Sequence, residues 1–217
     1  MVAIDGPAGA GKSTVARQVA DRLGFVRVDT GALYRAVGLV ALERGVSLED
    51  GPALGALTSE LELAFVEGPG GPRLTVNGSD REDDLRTPDV ADAASKVSAL
   101  PEVRAALLEA QREMGVDGGV VLEGRDIGTV VFPDAEVKVF LTATAEARAR
   151  RRLGDLEERG VQSTFEDVLA AMKARDTRDS SREHAPLKPA EDATVVDSTE
   201  MTQDEVVSHI AGLAQRD

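Results

Sequence analysis

Residues 6–14 carry the first chemistry legible in the chain. Gly6-Pro7-Ala8-Gly9-Ala10-Gly11-Lys12-Ser13 matches G-x-x-x-x-G-K-[ST] at every fixed position, and Thr14 follows. Glycines at this spacing let the backbone bend so that several N–H groups point at a phosphate chain, and the helix start behind them adds the positive end of its dipole. Lys12 would reach the outer phosphates, and the Ser13 hydroxyl would ligate Mg²⁺. The context agrees with the pattern. Val2-Ala3-Ile4 reads as a short buried strand, and Val15, Ala16, Val19, Ala20 and Leu23 give Ser13–Leu23 a helical stripe. A Gly-rich turn that merely enters a helix is the bland alternative. The motif points to a nucleoside triphosphate and leaves the fate of its γ-phosphate open.

Arginine is the second chemical signal. Five lysines (Lys12, Lys96, Lys138, Lys173, Lys188) leave 20 arginines among the 25 basic residues. Base composition of the genome explains much of that ratio but not clustering. Arg148, Arg150, Arg151, Arg152 and Arg159 form one group, and Arg175, Arg178 and Arg182 another. A guanidinium grips phosphate through a planar fork. The first group, with Gly154 and Gly160 as hinges and little apolar surface beyond Leu153 and Leu156, is expected to be a lid over residues 148–162. A solvated helix face, paired with Asp155, Glu157 and Glu158, explains the same composition.

The elements that must position these residues follow from pattern. Phe25–Val28 reads as a strand ending at Asp29, and Thr30 caps a helix carrying Leu33, Val37, Val40 and Ala41. A carboxylate and a hydroxyl at a strand's C-terminal end sit where open α/β sheets bind ligands. Ser47–Leu57 reads as a short helix and its approach. After residue 60 the period changes to two. Leu61–Val66 and Arg73–Val76 alternate around a turn at Gly68–Pro72, Asn77-Gly78 signals a hairpin, and a third strand is expected near Arg81-Glu82. This β segment is read as an insertion, residues 60–97 with its following helix, within one domain spanning 1–217. Helices are expected from Pro88, from Pro101, from Ala145 to Gly160 and from Thr164 through Arg175. Val120–Leu122, Val137–Leu141 and Thr194–Asp197 read as strands, and Thr202-Gln203-Asp204-Glu205 is a capping box. Parallel strands with crossover helices and one small antiparallel insertion make the fold class α/β.

Composition excludes other classes. The 42% hydrophobic content suffices for a core, and the absence of Cys leaves no disulfide, thiol nucleophile or zinc finger. No apolar run is long enough for a membrane span, and the core pattern starts at residue 2, so neither membrane association nor a leader is expected. The formal net charge of −14 argues against a nucleic-acid partner. A cytoplasmic monomer is expected. No [NT]-K-x-D segment is present for a GTPase. The Val120–Leu122 strand runs into Glu123-Gly124-Arg125-Asp126, where an arginine suits phosphate binding better than activation of water. A small-molecule kinase remains.

The chain resembles the bacterial cytidylate kinase family. The matching segments are Asp5–Ala16, Asp29–Val37, Ala91–Ser98 with Pro101–Leu108, Glu123–Ala135 and Lys173–Leu187, in order over nearly the whole chain. Glu123 stands where many relatives have Asp. The resemblance implies transfer of the γ-phosphoryl group of ATP to CMP or dCMP with Mg²⁺. It implies that Gly6–Thr14 bind ATP and that Lys12, Arg125, Arg151 and Arg152 act on the transferring group electrostatically. Arg35, Arg125 and Arg182 would hold the acceptor phosphate. Asp179 would take the ribose hydroxyls, with Arg175 beside it, and Ser95, Arg104 and Asp126 would read the base, with Asp29 and Thr30 completing the substrate-binding set. An ordinary ion pair is the bland alternative for each charged residue alone. His184 and His209 have no context for a general base. A thymidylate- or shikimate-type kinase and a non-catalytic nucleotide-binding module are the alternatives.

Overall fold

The computed structural model describes residues 1–68 and 71–215. The chain divides into two compact units, residues 1–27 with 118–217, and residues 28–117. The second unit takes in the expected 60–97 segment and begins and ends well outside it.

A five-stranded sheet lies in the first unit except for Val28 and Asp29, the last two residues of its edge strand, with which the second unit begins. Its strands are β1 (Val2–Asp5), β2 (Val26–Asp29), β3 (Val120–Gly124), β4 (Val137–Thr142) and β5 (Thr194–Asp197), in the order β2-β3-β1-β4-β5. β1 pairs in parallel with β3 and β4, and β4 with β5. The central strand is buried along its whole length, as a parallel strand covered on both faces must be. Helix α1 (Lys12–Leu23) lays Val15, Ala16, Val19 and Ala20 into a core with Ile4, Val121, Val139 and Leu141, which Val206, Val207 and Ile210 of the last helix complete. Gly24 stops α1 in the left-handed region, φ 68°, and its amide donates to the Ala20 carbonyl.

Two more helices, Ala145–Glu158 and Phe165–Ser180, pack on each other through Ala149, Leu156, Val168 and Met172, with Leu153, Val161, Phe165 and Leu169 at the margin. The expected scarcity of apolar anchoring on the Arg-rich helix is therefore corrected: the missing surface belongs to the helix beyond Gly160. That second helix runs to Ser180, past the expected end at Arg175, because no Gly or Pro interrupts it. The last helix, Gln203–Ala214, opens on the expected capping box at Thr202 and Glu205.

The second unit packs the helix Thr30–Arg44 against Pro88–Val97, and Gly51–Glu60 near Pro101–Glu113. A Cβ at Gly38 would lie 3.0 Å from Ala93 Cβ and from the Ala94 amide, so glycine sets the approach of the first pair. Three antiparallel strands, Leu63–Val66, Arg73–Val76 and Ser79–Asp80, form the expected small sheet. Pro69 and Gly70 of the expected turn lie outside the described residues. The third strand sits two residues before its expected place. Asn77 and Gly78 both have positive φ, 51° and 76°, so a two-residue turn returns the chain to pairing at once, Val76 opposite Ser79. Leu33, Val37, Leu54, Leu74 and Leu107 lie in this unit's core. Among the described residues no helix is long and apolar enough to cross a membrane.

Candidate active site

The phosphate loop joins β1 to α1. Gly6 has φ 150°, and a Cβ there would fall 1.9 Å from the Leu141 carbonyl oxygen, so no side chain fits where the loop leaves the sheet. Gly11 is the N-cap of α1, with φ 91° and no side chain over the first amides. Those amides are left to a ligand, which is the geometry of an anion site at a helix start. Lys12 is buried and its Nζ donates to the Pro7 carbonyl at 2.9 Å. Burial, reinforced by the Arg125 and Arg175 guanidiniums, pushes Lys12 well below the usual lysine range against the pull of Glu123 and Asp5. A polyphosphate is the counter-ion that such a cluster favours. Ser13 Oγ donates to Glu123 Oε2 at 2.7 Å, while Glu123 Oε1 accepts from Arg27 Nε and Nη2 at 3.0 and 2.7 Å. Ser13 and Thr14 are exposed in the first turn of the helix.

A carboxylate with three arginines forms the second part of this unit's site. Asp179 is almost entirely buried, and Arg125 Nε donates to its Oδ2 at 3.1 Å while Arg182 Nη2 donates to Oδ1 at 2.5 Å. Arg175 Nε lies 3.9 Å away, one helical turn before it. Burial would raise the Asp179 carboxyl. The guanidiniums of Arg125, Arg182 and Arg175 outweigh that and hold it below the usual range. Asp126 is buried directly after Arg125.

The Arg-rich helix meets the phosphate loop from its first turns. Arg148 is buried, pairs with Asp176 at 2.7 Å and donates to the carbonyls of Ala143 at 2.9 Å and Ala8 at 3.1 Å. Arg151 donates to the Ser198 carbonyl and hydroxyl at 2.6 and 3.1 Å and reaches the Ala10 carbonyl at 3.5 Å. Arg152 is half-buried on the same helix. Sequence reasoning missed Asp176 as the partner of Arg148; the two lie 28 residues apart on neighbouring helices. It also missed the Arg27–Glu123 pair, which only the β2–β3 neighbourhood brings together.

In the second unit Asp29 caps its helix by accepting from the Ala32 amide at 3.2 Å and pairs with Arg35 at 2.6 Å. Thr30 is buried beside it. Ser95 is buried, and Ser98 Oγ donates to its carbonyl at 3.1 Å. Arg104 donates to the Ser98 carbonyl at 3.2 Å and stacks over the Tyr34 ring with 5.7 Å to the centroid. The first unit thus gathers Gly6–Thr14, Arg125, Asp126, Arg148, Arg151, Arg175, Asp179 and Arg182; the second gathers Asp29, Thr30 and Arg35, and separately Ser95 and Arg104. His184 and His209 are exposed.

The family model for cytidylate kinase matches residues 2–216. The chain belongs to the cytidylate kinase family. It is 46% identical to the cytidylate kinase of Pasteurella multocida (strain Pm70), over 100% of this chain and 95% of the relative. It is 47% identical to that of Geobacter sulfurreducens over 99% and 92%, and 51% identical to that of Geobacter sp. (strain M21) over 95% and 89%. Among solved structures it is similar to a gluconokinase from Sinorhizobium meliloti 1021, with a TM-score of 0.49 and 16% identity, covering 99% of this chain and 91% of that one.

Proposed function

We propose that the chain is a nucleoside monophosphate kinase that transfers the γ-phosphoryl group of ATP to CMP or dCMP, giving CDP or dCDP. The observation that carries this reading is the phosphate loop and the Arg125–Arg175–Arg182 cluster within one unit of a cytidylate kinase family member. The loop amides and Lys12 take the β- and γ-phosphates of ATP. Arg125 and Arg182 hold the acceptor phosphate, with Arg35 of the second unit assigned to the same group. A phosphate oxygen is already a competent nucleophile in a loose phosphoryl-transfer transition state, so positioning and charge stabilisation carry the rate and no general base is required. Asp126 accepts from the exocyclic amine of cytosine, Ser95 shares that contact, and Arg104 donates to N3 and O2. Uracil presents an acceptor in place of the amine and leaves the Asp126 carboxylate unpaired. Asp179 takes the ribose hydroxyls beside Arg175. Arg151 and Arg152 act on the charge of the transferring group.

The residues around Ser13 fit Mg²⁺. A hydroxyl and a buried carboxylate 2.7 Å apart are hard oxygen donors of the kind that ion takes along with substrate phosphates. Bound there, Mg²⁺ would neutralise charge on the β- and γ-phosphates. Ser13 would be its direct ligand, and Arg27 would hold Glu123 in place. The reading includes a monomer acting in the cytoplasm, where ATP and nucleoside monophosphates are found; light scattering tests the first point. Coupled ADP release with a panel of nucleoside monophosphates and small alcohols tests the activity. CMP and dCMP are expected to be the best acceptors, and preference for another acceptor would replace this reading.

A further inference from the structure

Asp5 is a buried carboxylate that the mechanism above does not use. It ends β1, and the next residue opens the phosphate loop. Its Oδ1 accepts from the Ile127 amide at 2.8 Å and its Oδ2 from the Gly128 amide at 2.7 Å. These amides begin a wide turn over Ile127–Val131, in which the Asp126 carbonyl accepts from Val130 and Val131 and the Ile127 carbonyl accepts from Phe132 at 2.7 Å. The first amides of such a turn have no acceptor within it. Asp5 supplies both from more than 120 residues away, one oxygen to each. The turn starts directly after Arg125-Asp126, so its placement fixes where those two residues emerge from β3.

We propose that Asp5 is a positioning residue for the acceptor: it ties the start of the phosphate loop to the turn behind Arg125 and Asp126, and so sets the register between the two substrates' binding segments. The inference rests on the assignment of Asp126 to the base. It needs both carboxylate oxygens, because asparagine would turn an N–H₂ donor toward one of the two amides. Asp5→Glu disturbs the same contact in a second way: it keeps the charge and both oxygens but adds a methylene to a buried side chain, so the carboxylate no longer meets both amides from the same backbone position.

Steady-state kinetics of Asp5→Asn, Asp5→Glu, Asp126→Asn and the Asp5→Asn/Asp126→Asn double variant, with CMP and UMP, test this. Asp5→Asn is expected to raise KM for CMP about tenfold, more than it raises KM for ATP, and to narrow the CMP/UMP ratio of kcat/KM. Asp5→Glu is expected to shift both in the same direction. The double variant is expected to lose little selectivity beyond Asp126→Asn, since Asp5 acts through Asp126. Additive losses in the double variant, or a CMP KM and CMP/UMP ratio within about twofold of the parent in each variant that folds, would reduce Asp5 to a structural cap and overturn the inference. If Asp5→Asn does not fold, Asp5→Glu decides alone. A parent enzyme inactive toward CMP is visible before any variant is made; it refutes the proposed function and this inference with it.

Discussion

Asp179→Asn removes the charge on which Arg125, Arg175 and Arg182 converge. The side chain is 1% exposed, and two of the guanidiniums bond it directly. Removing one partner from a buried ion pair costs about 3–5 kcal/mol, because the charge left behind stays buried and uncompensated. Asparagine keeps one oxygen to accept from one guanidinium, so the lower end, about 3 kcal/mol, is expected. For a chain of this length that corresponds to a Tm lower by about 6–12 °C at pH 7. The sign of the pH dependence follows from the depressed carboxyl. Its contribution is present above the unfolded value of 3.8 and is lost as pH falls through the lower folded value, so the gap between parent and variant closes in acid. Added sulfate or phosphate should recover more Tm in the variant than in the parent, because an anion replaces the missing charge. Thermal unfolding followed by circular dichroism, with and without sulfate, measures all three effects. A Tm loss below about 2 °C at pH 7, or a gap that widens as pH falls, would refute the electrostatic account of the cluster.

Lys12→Ala is expected to leave the fold intact and lower kcat by about 10²–10³-fold, checked by circular dichroism and coupled ADP release. The Arg-rich helix is expected to move at one end only. Hydrogen exchange should show strong protection near Arg148 with or without nucleotide, since it is pinned to Asp176 and the Ala8 carbonyl, and protection gained with a bisubstrate analogue should lie toward Arg152–Arg159. Arg152→Ala should lower kcat more than it raises KM for CMP. Asp5 titrates in the opposite sense to Asp179: burial pushes its carboxyl up to about 6, against the bonds from Gly128 and Ile127. Its contribution is present below pH 3.8 and is lost as pH rises through about 6, worth about 3 kcal/mol in all. Urea denaturation between pH 4 and 7 should show that decline in the parent and not in Asp5→Asn.

The parts of the fold that were legible in the sequence are those set by local chemistry. The glycine loop, the Thr164 and Thr202 caps and the strand alternation each depend on residues a few positions apart. What was not legible depends on partners distant in the chain. The Arg148–Asp176, Arg27–Glu123 and Asp5–Ile127 contacts carry no local signal, because their spacing in sequence is arbitrary and only sheet order and helix pairing bring them together. The anchoring of the Arg-rich helix was missed for the same reason: Val168 and Met172, which bury Ala149 and Leu156, read locally as the stripe of a different helix. The resemblance had already placed Arg125, Asp179 and Arg182 in one substrate set, and the structure adds that the two arginines bond that carboxylate.

The ratio of kcat/KM for CMP to that for UMP, measured for the parent and for Asp126→Asn, tests the central claim most directly. An asparagine amide can present either a donor or an acceptor to the base, and one charged hydrogen bond is worth about 1.5–3 kcal/mol. The parent is expected to prefer CMP, and Asp126→Asn to narrow that preference by roughly 10- to 150-fold. Equal kcat/KM for the two nucleotides in the parent, or an unchanged ratio in the variant, would contradict the account.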